Sequence, residues 1–197
     1  MEQTAAMSER RIGEHIISAC REGDRDAFRL LFEAYKDRVF SVALYFFGGD
    51  ETTAGDITQQ VFLKLFTKIT QFREESEFTT WLYHLAANEC VDEHRRRRRF
   101  LPFGEGFERA SPQRGRKPQE ETFARAEVAG DVQRAVAALR PKLRVAILLK
   151  YFEELSYDEI AHVLGCSKGT VASRLNRGHK ILARRLGHLR GPVFGGE

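Results

Sequence analysis

Apolar and polar positions alternate along most of this chain at three- and four-residue intervals, the period of an amphipathic helix rather than a strand. The clearest case lies between residues 156 and 185. Ser156 is followed three residues later by Glu159, the pattern of a capping box, and Ile160, Val163 and Leu164 then fall on one helical face. Gly165 supplies a left-handed stop, Cys166 sits in the turn, and Ser167 caps a second helix. There Val171, Leu175 and Ile181 face inward, while Lys168, Thr170, Ser173, Arg174 and Arg177 mostly face outward. Two short helices, a glycine turn and a basic outer face predict a helix-turn-helix whose second helix enters the DNA major groove.

Upstream, Phe28, Leu31, Phe32, Tyr35, Val39, Val42, Ala43 and Phe46 predict a long helix ended by Gly48, Gly49 and Asp50. A second helix is expected from about Glu51 to Ile69. It carries Ala54, Ile57, Val61 and Leu65 on one face and Asp56, Gln59, Gln60 and Lys64 on another. A third begins near Phe78, with Trp81, Leu82, Leu85 and Ala86 inward and Thr80, His84, Asn88, Asp92 and Arg96 along one row. Residues 100–126 hold Pro102, Gly104, Gly106, Pro112, Gly115 and Pro118 without a helical stripe, which predicts a linker. Beyond it, Val128, Val132, Val136 and Leu139 form one stripe and Leu143, Ile147, Leu148 and Tyr151 the next, with Pro141 in a helix first turn. The expected fold is all-α: two helical domains on a flexible linker. The segments are an N-terminal extension at 1–23, a first domain at 24–99, the linker at 100–126, a second domain at 127–190 and a tail at 191–197.

Charge divides the chain the same way. Residues 1–94 carry 10 Lys+Arg against 17 Asp+Glu, a net of −7, and residues 95–197 carry 22 against 11, a net of +11. A basic half suits phosphate contact and an acidic half a protein partner. Residues 95–99 are five consecutive arginines. Such density repels itself unless an anion neutralises it, and a phosphate backbone is the natural anion. Cys20, Cys90 and Cys166 are far apart and form no CxxC pair, so buried thiols are expected rather than disulfides or a zinc site. The N-terminus lacks a signal peptide's apolar core and no run reaches the length of a membrane span, which points to a cytoplasmic protein. No metal-ligand cluster, phosphate loop or nucleophile constellation appears, so neither catalytic residues nor a cofactor are expected.

Two blocks carry a family resemblance. DRDAFRLLFEAYKDRVFSVALYFFG, DITQQVFLKLF and FTTWLYHLAANECVDEHRRRRR resemble region two of a group IV (extracytoplasmic-function, ECF) sigma factor of the sigma-70 family. VAALRPKLRVAILLKYFEELSYDEIAHVLGCSKGTVASRLNRGHKILARRL resembles region four. The resemblance implies a non-enzymatic protein that binds RNA polymerase core through its β and β′ subunits and directs it to promoter DNA. An anti-sigma factor is a common partner in the family. It implies that Asp56, Gln59, Gln60 and Phe62 dock on the β′ clamp coiled coil, with Gln60 standing where relatives carry an acid. It implies that Thr80, His84, Asn88, Asp92, Arg95 and Arg96 meet the −10 element, with Tyr83, His84 and Leu85 near the place where primary sigma factors carry an aromatic wedge. It implies that Lys168, Thr170, Ser173, Arg174 and Arg177 meet the −35 element. Ala172 replaces a basic residue of many relatives, and Gly178 interrupts the reading helix at a cost of about 1 kcal/mol. The competing expectation is a conventional helix-turn-helix regulator with an N-terminal sensing or dimerisation domain. It explains the second block and leaves the first unexplained.

Overall fold

The computed structural model describes residues 13–72, 77–100 and 120–190, and every regular element among them is helical. The helices are α1 (Glu14–Arg21), α2 (Arg25–Phe46), α3 (Glu51–Lys68), α4 (Phe78–Phe100), α5 (Glu120–Ala137), α6 (Pro141–Tyr151), α7 (Tyr157–Leu164) and α8 (Lys168–Arg185). Short 3-10 turns follow α3 and α8, at Ile69–Gln71 and Gly187–Arg190. The arginine run therefore ends a helix.

Side chains set the helix ends. The Asp24 carboxylate accepts from the amides of Asp26 (2.8 Å) and Ala27 (3.0 Å) and opens α2. Asp50 accepts from the Thr53 amide (3.0 Å) and opens α3. Ser156 and Glu159 make the reciprocal capping box that opens α7, with Ser156 N–H donating to Glu159 Oε2 at 2.7 Å and Glu159 N–H to Ser156 Oγ at 3.2 Å. Gly165 ends α7 in the left-handed region, at φ 55°. Ser167 then caps α8. Every cue that predicted the helix-turn-helix is in place.

Two lobes result. In the N-terminal lobe α2 packs against α1, α3 and α4, and α3 against α4. Leu31, Val39 and Phe46 of α2 meet Ala54, Val61 and Leu65 of α3 and Leu82 and Ala86 of α4 in its core. Part of the segment read as an extension belongs here: α1 buries Ile17 and Cys20. Three residues apart on a helix, these two suffice to seat one turn. In the C-terminal lobe α6 is the centre, with Val145, Ala146, Ile147, Leu148 and Leu149 all buried. A helix apolar on all sides must be covered on all sides, and α5, α7 and α8 cover it together with helices of the other lobe.

The helices bounding the expected linker extend into it. α4 continues through Phe100 and α5 starts at Glu120, leaving residues 101–119 outside the described ones. Glu, Ala and Arg between 120 and 126 favour a helix by propensity alone, a signal that a search for apolar stripes passes over. Residues 1–12 and 191–197, part of the expected extension and the expected tail, also lie outside the described residues.

The lobes share one hydrophobic core. α2 packs against α5 and α6, and α4 against α6 and α7. Arg144 of α6 is the polar fastener. Its guanidinium donates to the carbonyls of Phe46 (2.5 Å), Leu139 (2.9 Å) and Ala137, and lies 4.7 Å from the Phe46 ring centre. Burial lowers its pKa to about 10, still charged at neutral pH. Tyr45 and Phe152 also meet across the lobes, their rings tilted with centres 4.2 Å apart. Gly48 (φ 67°) turns the chain against α5, and a Cβ there would stand 3.0 Å from the Ala137 methyl.

Candidate polymerase and nucleic-acid interfaces

On α3, Asp56, Gln59 and Gln60 are exposed on one side. Phe62 is not beside them: it is 4% exposed and packs edge-on against Phe32 with ring centres 4.8 Å apart. It shapes the face from beneath. What the face does expose is apolar. Leu63 is 51% and Phe66 52% exposed, and with Phe28, Phe32, Phe40 and Phe62 they line a groove of about 580 Å³ between α2 and α3. Gln59, Lys36 and Asp37 also line it. An exposed apolar strip with polar groups beside it is the anatomy of a protein-docking surface. Leu63 and Phe66 lie off the inward stripe of Ile57, Val61 and Leu65, and that misplacement is the sequence signal that could have marked them.

On α4 the expected reading row is partly covered. Thr80 is only 5% exposed. His84 is half-buried, and its Nδ1 lies 2.7 Å from the carbonyl of Val163 in α7. Since a carbonyl only accepts, Nδ1 carries the proton and Nε2 accepts from the Asn88 amide at 2.9 Å. Val163 is in the last turn of α7, where carbonyls lack helical partners. His84 thus caps the first helix of the helix-turn-helix from the opposite lobe. Next to it, Tyr83 is buried and donates to Glu153, which also faces Arg38 Nε at 3.6 Å. Burial, and then the neighbouring Glu153 carboxylate, push the Tyr83 phenol up, so it stays a donor. Sequence reasoning singled out His84, though for a different contact, and missed Glu153, whose partner is distant in the chain.

Further along α4 the arginines differ among themselves. Arg95 pairs with the exposed Asp92 (3.0 Å), and Arg96, itself exposed, with the half-buried Glu93 (3.0 Å). Arg97 turns inward to Glu93 (2.9 Å), Asp50 (3.1 Å) and the Thr53 hydroxyl. Burial of Asp50 opposes ionisation, but the Thr53 hydroxyl and amide and Arg97 outweigh it and hold the carboxyl below its usual range. One arginine of the five therefore braces the start of α3.

On α8 the expected contacts are more open. Lys168 and Ser173 are exposed, with Lys168 paired to Asp158 at 2.7 Å, and Arg177 is exposed. Thr170 is half-buried beside Ser167, its hydroxyl 2.9 Å from Ser167 Oγ. Arg174 is half-buried and reaches Cys166 Sγ at 3.5 Å. Arg174 and Arg177 line the same groove as Arg95 of α4, so the fold brings two of the predicted DNA-contacting sets together. Gly178 turns out to be buried: a Cβ there would stand 3.0 Å from Ile147 Cγ1 and 3.1 Å from Cδ1. The glycine lets α6 and α8 touch.

A helix-turn-helix seated on an arginine-ended helical lobe, with a separate apolar docking strip, defines a DNA-reading protein that also carries a protein partner's surface. Sigma-70 region 2 matches residues 31–100, and Sigma-70, region 4 matches residues 129–182. The chain is 32% identical over 178 residues to the ECF RNA polymerase sigma factor SigW of Bacillus subtilis (strain 168), covering 86% of this chain and 94% of that one. It is 31% identical over 188 residues to the ECF RNA polymerase sigma-E factor of Escherichia coli (strain K12), covering 91% and 97%. In fold it resembles the sigma factor RpoE from Bartonella quintana, solved in complex with the anti-sigma factor NepR. The TM-score is 0.66 at 23% identity, over 81% of this chain and 96% of that one. The chain belongs to the ECF sigma factors of the sigma-70 family. Its function is that of a sigma factor, directing promoter-specific initiation of transcription. A conventional regulator would leave the region 2 match without explanation. No helix among the described residues is long and apolar enough to cross a membrane.

Proposed function

We propose that this chain is a cytoplasmic, non-catalytic sigma factor of group IV whose compact form is a resting state. Residues 24–99 act as region two. Asp56, Gln59 and Gln60 present polar contacts to the β′ subunit of RNA polymerase core, and Leu63 and Phe66 beside them provide the apolar anchor that such a contact needs. His84, Asn88, Asp92, Arg95 and Arg96 take the −10 strand, whereas Thr80 is buried in this form. Residues 127–190 act as region four, where Lys168, Thr170, Ser173, Arg174 and Arg177 take the −35 duplex and the lobe's other faces meet the β subunit. An anti-sigma factor would compete for the same docking faces.

One observation carries the resting-state reading. His84 is spent on Val163 and Tyr83 on Glu153, so the C-terminal lobe occupies α4 where promoter DNA would bind. Reading both elements requires the lobes to part, and core polymerase supplies the binding energy. Transcription with purified core polymerase tests the function: adding this protein should give promoter-specific initiation. Leu63→Asp with Phe66→Asp should weaken core binding by at least about tenfold, or ~1.4 kcal/mol, and leave the fold intact because both side chains are half-exposed. Absence of any complex between the unmodified protein and core would overturn the reading.

A further inference from the structure

Between the end of α4, the start of α6 and the outer face of α8 lies a groove of about 1180 Å³. α4 contributes Arg95, Arg98 and Arg99. α6 contributes Lys142 and the residue before its first turn, Arg140. α8 contributes Arg174, Arg177, Lys180 and Arg184. No acidic side chain lines it. Among the described residues, Arg98, Arg99, Arg140, Lys142, Lys180 and Arg184 have no carboxylate within ion-pair distance. The groove exists only while the lobes are together, since α4 comes from one and α6 and α8 from the other.

We propose that this groove binds an oligophosphate anion, and that the bound anion holds the lobes together. Like charges gathered from two lobes repel, so the closed form calls for a compact counter-charge. Most of the cations are arginines, whose fork geometry matches phosphate oxygens in pairs. The N-terminus of α6, with no side-chain cap, adds its positive end. An acidic peptide fits less well. All three walls are helices, so an extended peptide would find no sheet edge for its main-chain hydrogen bonds. Val91, Leu143 and Ile181 give the groove an apolar patch, where the base of a nucleoside triphosphate would rest.

Sodium tripolyphosphate is the probe, titrated into the full chain by calorimetry at constant ionic strength. One anion should bind per chain, and Arg140→Gln with Lys142→Gln should weaken it by about tenfold. Small-angle scattering should show a smaller radius of gyration with the anion than without. A nucleoside triphosphate binding more tightly than tripolyphosphate would assign part of the affinity to the apolar patch, and equal binding would assign it to phosphate alone. Three results would each overturn the proposal: an unsaturable isotherm, equal affinity in the double variant, or polyglutamate of matched charge binding more tightly. None depends on transcription, so failure here and failure of the sigma-factor reading are separable.

Discussion

Gly178 shows how a single residue can be misjudged without its neighbour. Taken alone it costs a helix about 1 kcal/mol relative to alanine. In the folded protein its missing side chain is the space that Ile147, buried and branched at Cβ, occupies. Gly178→Ala would gain propensity but overpack the α6–α8 contact, an error that costs about 1–3 kcal/mol. The expected net effect is a loss of about 1 kcal/mol, read as a lower urea midpoint with unchanged slope. His94 gives a prediction about pH. Burial, and then Arg144, Arg98 and Arg97, lower its pKa from the ordinary 6.5. The folded protein thus binds a proton less readily than the unfolded chain. Stability should be level above pH 6.5, fall as pH drops from there toward the folded value, and level off below it. His94→Gln should flatten that decline, measured by thermal unfolding at about pH 7.5 and about pH 5.5.

At the scale of elements, most of the chain was legible because stripes and caps agree. Ser156 and Ser167 each cap the helix they were placed to open, Asp50, read as the end of one helix, also opens the next, and Ile160, Val163, Val171 and Leu175 are buried. The exceptions have physical causes. α1 is short and its two buried residues make no extended stripe. The sequence at the start of α5 has no apolar stripe, only residues of good helix propensity. Phe62 falls next to the inward stripe of α3, so its burial could be read from spacing, whereas the resemblance drew it toward the docking face. The end of α7 is completed from outside its own sequence, by His84. His84→Ala should leave the Val163 carbonyl without that donor and lower stability by about 1 kcal/mol. Hydrogen exchange should then show faster opening at the last turn of α7, with the centre of α6 unaffected.

On the scale of the molecule, the contact between lobes was the least legible feature. Its ties join residues far apart in the chain, such as Tyr83 with Glu153 and Arg144 with Phe46, and no periodicity announces them. Glu153 is the best test. Glu153→Ala would strand the buried Tyr83 hydroxyl, at a cost of about 1–3 kcal/mol. That cost disappears if the lobes separate and water takes the place of Glu153. The variant should therefore show a larger radius of gyration by scattering while keeping its helical circular dichroism.

The contact between Gly178 and Ile147 has a mechanical consequence. With no side chain on Gly178, the Ile147 side chain of α6 packs directly on the backbone of α8, and α6 is also the helix that Arg144 fastens to the other lobe. α8 is thus keyed to the helix that faces the other lobe. If α6 carries α8 with it, a change that loosens Arg144 should also turn α8, and the groove that α8 shares with α4 should open with it.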